Sequence, residues 1–174
     1  VPPSLSRDAH HAVRWRDPEL LMSQACGYDV CFRLAGQLTP VAAPVYRAEG
    51  CAGATYRSAI VVRSDDPCAS MVELSGRVAA FNESTSHSGR VALEAVVAEH
   101  ARAGRFFART FVTGAHEGSA EAVAAGDADV AALDCTSFAL LRRARPALAR
   151  RLRVLGYSPA CPAPPFVVGP AVTA

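Results

Sequence analysis

From residue 56 onward, short apolar and β-branched runs alternate with segments of helical period, and the changeovers carry glycine, proline or hydroxyl residues. YRSAIVVRSDDP (56–67) holds the clearest strand, Ser58–Arg63, stopped by the turn formers Asp65, Asp66 and Pro67. RVAAFN (77–82) reads as the next strand and leads into the polar loop ESTSHSG. From Ser88 to about Arg102 the pattern turns helical. Leu93, Val96, Val97 and His100 recur at three- and four-residue steps, with Glu94 and Glu99 on the other side. RFFARTFV (105–112), DVAALD (129–134) and LRVLGYS (152–158) read as strands, GSAEAVAAG (118–126) as a helix ended by Gly126, and TSFALLRRA (136–144) as another helix. Earlier in the chain, ELLMSQ (19–24) and LTPVAAPVY (38–46) read as strands, and PFVV (165–168) closes the series. The succession predicts an α/β fold with a largely parallel sheet. Ligands of such sheets bind beyond the carboxyl ends of strands, where loops enter helices.

Composition narrows the function. The 174 residues fit one large domain or two small lobes, and 51% of them are apolar, enough for a substantial core. A net charge of +2 argues against a general nucleic-acid binder. All 18 basic residues are arginine, so lysine chemistry such as Schiff bases and P-loops is excluded. No apolar run is long enough to span a bilayer. The opening VPPSLSRDAHH is polar and does not read as a signal peptide, and a mature exported chain would lack one too. Six cysteines are scattered without a CxxC pair, so neither zinc nor another cofactor is expected. In an oxidising compartment, Cys26 and Cys51 are the pair expected to bridge.

Two loops carry the chemistry. FNESTSHSG (81–89) sets Ser84, Thr85, Ser86, Ser88 and Gly89 between a strand and a helix. A helix start offers unpaired N–H groups and partial positive charge, which suit an oxyanion. Hydroxyls add donors without net charge, although a single serine there is also an ordinary helix cap. TGAHEGSAEAV (113–123) repeats the arrangement with a glycine turn, His116 and Ser119. A histidine beside a helix start can donate a ring N–H to an oxyanion, or can simply be a surface histidine. Tyr56, before the strand Ser58–Arg63, offers a phenol and a ring face, or else belongs to the core. Asp134, at the end of a buried strand, caps the following helix unless the ligand carries a cation. His10 and His11 read as solvated, Trp15 and Pro18 as packing, and Arg142, Arg143 and Arg145 as a solvated helix face.

Taken in order, LLMSQACGYDV, EGCAGATYRSAIVVRSDDP, ELSGRVAAFNESTSHSG, TGAHEGSAEAVAAGDADVAALD and LRVLGYSPACPAPPFVV resemble the phosphonate/phosphate/phosphite-binding proteins of ABC importers. These belong to the type-2 periplasmic-binding fold. The resemblance covers about Trp15 to Val168. It implies two α/β lobes closing on a ligand, with SAIVVR and PFVV as the crossing strands. The expected layout is a first lobe over 1–63, a second over 64–158 and a return over 159–174. The chain lacks the family's opening strand and helix and its closing helices, so the first lobe is expected to be incomplete.

The resemblance also implies a site. The family's ligand tyrosine falls on Tyr56, its serine-rich helix start on Ser86, His87 and Ser88, and its loop histidine on His116. Gln24 would face the ligand from the first lobe, and Gly89 and Asp134, read from their own loops, are expected beside these residues. Where the family often has threonine between the two serines, this chain has His87. The implied partners are a small oxyanion and a transporter permease, in a periplasmic or other extracytoplasmic setting. Two other readings stand beside this one: a sensor reusing the fold, and a hydrolase with Ser88, His116 and Asp134 as nucleophile, base and orienter. The hydrolase reading lacks a GxSxG elbow.

Overall fold

The computed structural model describes residues 11–172. In chain order its helices and strands are α1 (His11–Arg14), β1 (Ser23–Gln24), β2 (Thr39–Ala42), β3 (Thr55–Tyr56), β4 (Ser58–Arg63), β5 (Val78–Phe81), α2 (Ala92–Val97), β6 (Arg109–Val112), α3 (His116–Ala125), β7 (Val130–Asp134), α4 (Cys135–Ala144), α5 (Pro146–Ala149), β8 (Leu152–Tyr157), β9 (Cys161–Pro162) and β10 (Phe166–Val168). They fall into two compact units. One holds the residues up to 44 together with those from 162 on, and the other holds 45–161. Residues 45–63, expected in the first lobe, therefore lie in the second unit, where β4 is an inner strand of the sheet.

The first unit is built on a sheet of order β1-β10-β2 with both pairs antiparallel. Its core gathers Trp15, Ala25, Leu34, Leu38 and Val167. Trp15 Nε1 donates to Ser23 Oγ at 3.1 Å, which gives the buried indole its partner. His11 packs at a tilt of 53° against Trp15 with ring centroids 4.5 Å apart, whereas His10 lies outside the described residues. The expected strand over 19–24 shrinks to Ser23–Gln24. Leu20 alone packs on the core, while Leu21 and Met22 are 79% and 64% exposed. That apolar triplet resembled a buried strand but supplies one core contact.

The second unit holds a five-stranded sheet of order β6-β5-β7-β4-β8. β5 runs parallel to β6 and β7, but β4 runs antiparallel to both β7 and β8. The sheet is mixed rather than largely parallel. A continuous apolar run reports burial on both faces and says nothing of direction. Along β4, Ala59 and Val61 join α3 and α4 residues such as Val123, Phe138 and Leu141 on one face. Ile60 and Val62 join Leu93 and Val97 of α2 on the other. Each fully buried valine or isoleucine there contributes about 1.5–3 kcal/mol. Of the expected strand 105–112, only Arg109–Val112 is paired. Phe106 and Phe107 are instead buried just ahead of the strand, edge to face at 5.0 Å, and belong to the core cluster that includes Leu93 and Val97. Gly126 ends α3 as expected, in the left-handed conformation at φ 89.

All six cysteines lie among the described residues and none forms a disulfide. The expected bridge between Cys26 and Cys51 is not made. Each packs against the core of its own unit, Cys26 on that of Trp15 and Cys51 on that of Cys135. No described helix is long and apolar enough to cross a membrane.

Candidate functional site

Three strands of the second unit, β5, β6 and β7, each lead into a helix, and the three junctions differ. After β5, Ser86 sits in an extended conformation at the helix start, and its Oγ accepts from Gly89 N at 3.0 Å. A π-helical turn, His87–Val91, then leads into α2. Gly89 is required by close approach. A Cβ there would fall 1.8 Å from Asn82 Oδ1 and 3.3 Å from Ser86 Oγ. Arg90 turns away, donating from Nε to Glu94 at 2.9 Å and from Nη1 to the Ser84 carbonyl at 3.1 Å.

After β6, Thr113 N and Gly114 N donate to the carbonyls of Phe81 and Asn82, so the two loops leave the sheet side by side. Gly114 turns the chain at φ 88. Ala115 then starts α3 in an extended conformation, with no side chain to cap it. His116 is the first residue of the helix. Its Nε2 is hydrogen-bonded to Ser88 Oγ at 2.9 Å, and Ser88 Oγ lies 3.5 Å from Ser86 Oγ. Ser119 is fully buried and bonds Thr113 Oγ1 at 2.7 Å, so this hydroxyl braces the loop.

After β7, Asp134 fills its helix start. Its Oδ1 accepts from Thr136 N at 2.8 Å and Ser137 N at 2.9 Å. The structure thus brings together Ser86, His87, Ser88, Gly89 and His116. Tyr56 joins them, 3% exposed and with its ring centroid 6.4 Å from that of His87. Asp134 serves as a helix cap. Gln24 lies on β1 of the first unit, where its Nε2 donates to the Pro164 carbonyl at 2.9 Å.

Burial holds the His116 pKa below the ordinary 6.5, with Asp134 and the Ala132 carbonyl pushing it partly back up. His116 also lines, with Leu133, Phe138 and Leu141, a cavity of about 440 Å³ whose wall is mainly apolar. Burial lowers His87 as well. Both lowered values favour neutral rings at neutral pH, so the cluster presents hydroxyls, ring nitrogens and backbone N–H groups rather than cations. His116 Nδ1 is buried without a hydrogen bond of good geometry, and Asp134 is turned to its own helix. The orienting bond that a Ser88–His116–Asp134 hydrolase needs is not formed. Among the described residues no group of three His, Cys, Asp or Glu is gathered as for a metal ion.

Sequence reasoning passed over Asn82. Its Oδ1 is buried with no hydrogen-bond partner among the described residues and rests on Gly89. The available signal was a polar amide directly after the apolar run of β5, ahead of the hydroxyl-rich loop.

The family described as ABC transporter, phosphonate, periplasmic substrate-binding protein matches residues 17–174. No curated protein sequence matches the chain. Among solved structures, it is similar to a binding protein component of an ABC phosphonate transporter from Pseudomonas aeruginosa, with TM-score 0.75 and 22% identity over 91% of this chain and 54% of that one. It is similar to PhnD1 from Prochlorococcus marinus, solved in complex with methylphosphonate, with TM-score 0.70 and 16% identity over 91% and 60%. A histidine kinase sensor domain with similarity to periplasmic binding proteins shares the fold at TM-score 0.61 and 17% identity, over 91% and 60%. The chain spans only 54–60% of the length of these structures. On the family match, which extends over almost all of its length, the chain belongs to the periplasmic substrate-binding proteins of ABC phosphonate transporters.

Proposed function

We propose that this chain is the oxyanion-gripping part of a substrate-binding component of an ABC importer, working outside the cytoplasm and passing its ligand to a permease. The ligand is a tetrahedral oxyanion of the phosphonate, phosphate or phosphite class. Ser86, Ser88 and the N–H groups after them, Gly89 included, hold it together with His116, and Tyr56 and His87 flank it. The observation that carries this reading is the 2.9 Å bond between Ser88 Oγ and His116 Nε2, which joins two helix starts into one cluster. The chain has no lysine, and Arg90, the arginine of the serine loop, is matched by Glu94. Neutral donors and helix ends must then balance the anion.

Calorimetric titration with methylphosphonate, phosphate, phosphite and methanesulfonate tests the reading. One of the phosphorus oxyanions binds, and Ser88→Ala or His116→Ala weakens it by about 1–3 kcal/mol without unfolding the protein. Wild-type affinity in both variants would place the site elsewhere and leave these loops as helix caps. The likeness to a sensor domain supports sensing as a second reading. Loss of uptake of the bound anion on deleting the gene favours transport; intact uptake with a lost transcriptional response favours sensing.

A further inference from the structure

Two of the free thiols share one place at the start of α4. Cys135, the first residue of that helix, is 2% exposed. A Cβ on Gly50 would overlap its Sγ and stand 3.4 Å from its Cβ, so the thiol lies against the backbone one residue ahead of Cys51. Consecutive Cα atoms are only about 3.8 Å apart. Cys51 packs its partly buried side chain on the core cluster that contains Cys135. Burial, and after it the Cys51 thiol, push the Cys135 thiol up to about 12. Burial, and after it Asp134, the residue before Cys135, raise Cys51 as well. The backbone around the pair is fixed. Cys51 N donates to Ala48 O at 3.0 Å, and Cys135 N donates to Arg57 O at 3.2 Å. Glu49 ties the same segment to α4 and β8, accepting from Arg142 Nη1 at 2.8 Å and from the Tyr157 hydroxyl at 2.7 Å. The other two cysteines of this unit are engaged elsewhere, Cys68 Sγ with Ser70 O at 3.2 Å and Cys161 Sγ with Tyr56 O at 3.7 Å.

We propose that Cys51 and Cys135 form a disulfide in an oxidising compartment, stapling the segment that leads into β3 and β4 to the start of α4. The juxtaposition stands by itself, whereas formation in the cell rests on the extracytoplasmic setting proposed for the chain. Cys51, the more accessible thiol, attacks as its thiolate a disulfide of an exchange partner, glutathione disulfide or a thiol–disulfide oxidoreductase, and one partner sulfur leaves as a thiolate. Cys135 then gives up its proton and attacks the Cys51 sulfur of the mixed disulfide, releasing the second partner sulfur. Two protein thiols are oxidised and one partner disulfide is reduced to two thiols. Both protein thiols hold their protons at neutral pH, so oxidation of the folded chain is slow and quickens as pH rises.

The test refolds the chain in glutathione and glutathione disulfide at about pH 8.5, counts free thiols after denaturation, and maps unreduced tryptic peptides by mass spectrometry. Two of the six thiols are lost, and peptides 48–57 and 110–142, each holding one cysteine, are found joined. Cys51→Ser or Cys135→Ser abolishes the link, and Cys26→Ser leaves it in place. Dithiothreitol lowers the melting temperature of the oxidised wild type by roughly 5–10 °C and leaves that of Cys51→Ser unchanged. Six free thiols after oxidation, or Cys51 joined to any other cysteine, overturns the proposal. A link made with glutathione but missing from protein isolated from its native cells would instead overturn the extracytoplasmic setting, so the two failures are told apart.

Discussion

Helices α3 and α4 begin in opposite ways on one sheet. At α4 the protein supplies its own anion: the Asp134 carboxylate takes the N–H groups of Thr136 and Ser137. At α3 the corresponding residue is Ala115, which has nothing to offer, and the next residue reaches across to Ser88. An uncapped start costs about 0.5–2 kcal/mol relative to one with a serine or aspartate cap. The same strand–turn–helix layout therefore gives a start closed by its own carboxylate in one place and a start left without a side-chain cap in the other, and a single side chain decides which. The start of the π-helical turn that leads into α2 lies between these cases, because Ser86 caps it with a neutral hydroxyl and leaves no negative charge there.

The comparison can be broken in several ways. The largest effect is expected from Gly89→Ala, because the added methyl would meet Asn82 Oδ1. It lowers stability by about 1–3 kcal/mol in chemical denaturation, and oxyanion binding is lost with it. Asp134→Ala is expected to lower stability by about 1–2 kcal/mol, with binding retained and with Asp134→Asn recovering most of the loss. Abolished binding in a folded Asp134→Ala protein would make this carboxylate a ligand residue and end the contrast. Ala115→Asp should act in the opposite sense to a damaging change. It adds the missing cap, raises stability by about 0.5–1 kcal/mol, and weakens oxyanion binding by setting a carboxylate where the anion belongs. Unchanged affinity would show that the start of α3 is not part of the site.

The smallest effect concerns pH. His87 and His116 are both held below the ordinary 6.5 by burial, so on acidification the unfolded chain takes up protons first. Their contribution to stability is complete above about pH 6.5 and is lost as pH falls from there toward the folded-state values. The melting temperature should drop between about pH 7 and pH 5.5, and His116→Gln should flatten that drop. An equal drop in the variant would assign the effect to other groups.

What the sequence made legible follows from how local the cause is. Ser58–Arg63 was readable because consecutive apolar residues between turn formers leave few alternatives, and Gly126 because a helix ending there needs the left-handed conformation. Asp134 as a cap was also a local inference. The direction of β4 was not legible, because it depends on which distant strands lie beside it. Phe106 and Phe107 read as strand because burial under a helix and burial in a sheet select the same residues. In the candidate site, the serine turn was visible as composition. The 2.9 Å meeting of Ser88 with His116, and the seat of Asn82 on Gly89, come from two loops leaving the sheet together, which no single segment records.

The place of β4 in its sheet also sets an order of events. Ser58 lies opposite Asp134, and Ala59 lies opposite Tyr157. As the chain is synthesised, β4 emerges before both strands that flank it, β7 and then β8. Until then its apolar residues have helices and loops to collapse against but no ladder on either side. Closing the sheet means closing long loops, so completion of this unit's sheet waits for β8. A polypeptide with this wiring leaves β4 without its ladder while the residues between β4 and β8 are made, and any factor that must grip the unit unfolded has that interval in which to do so.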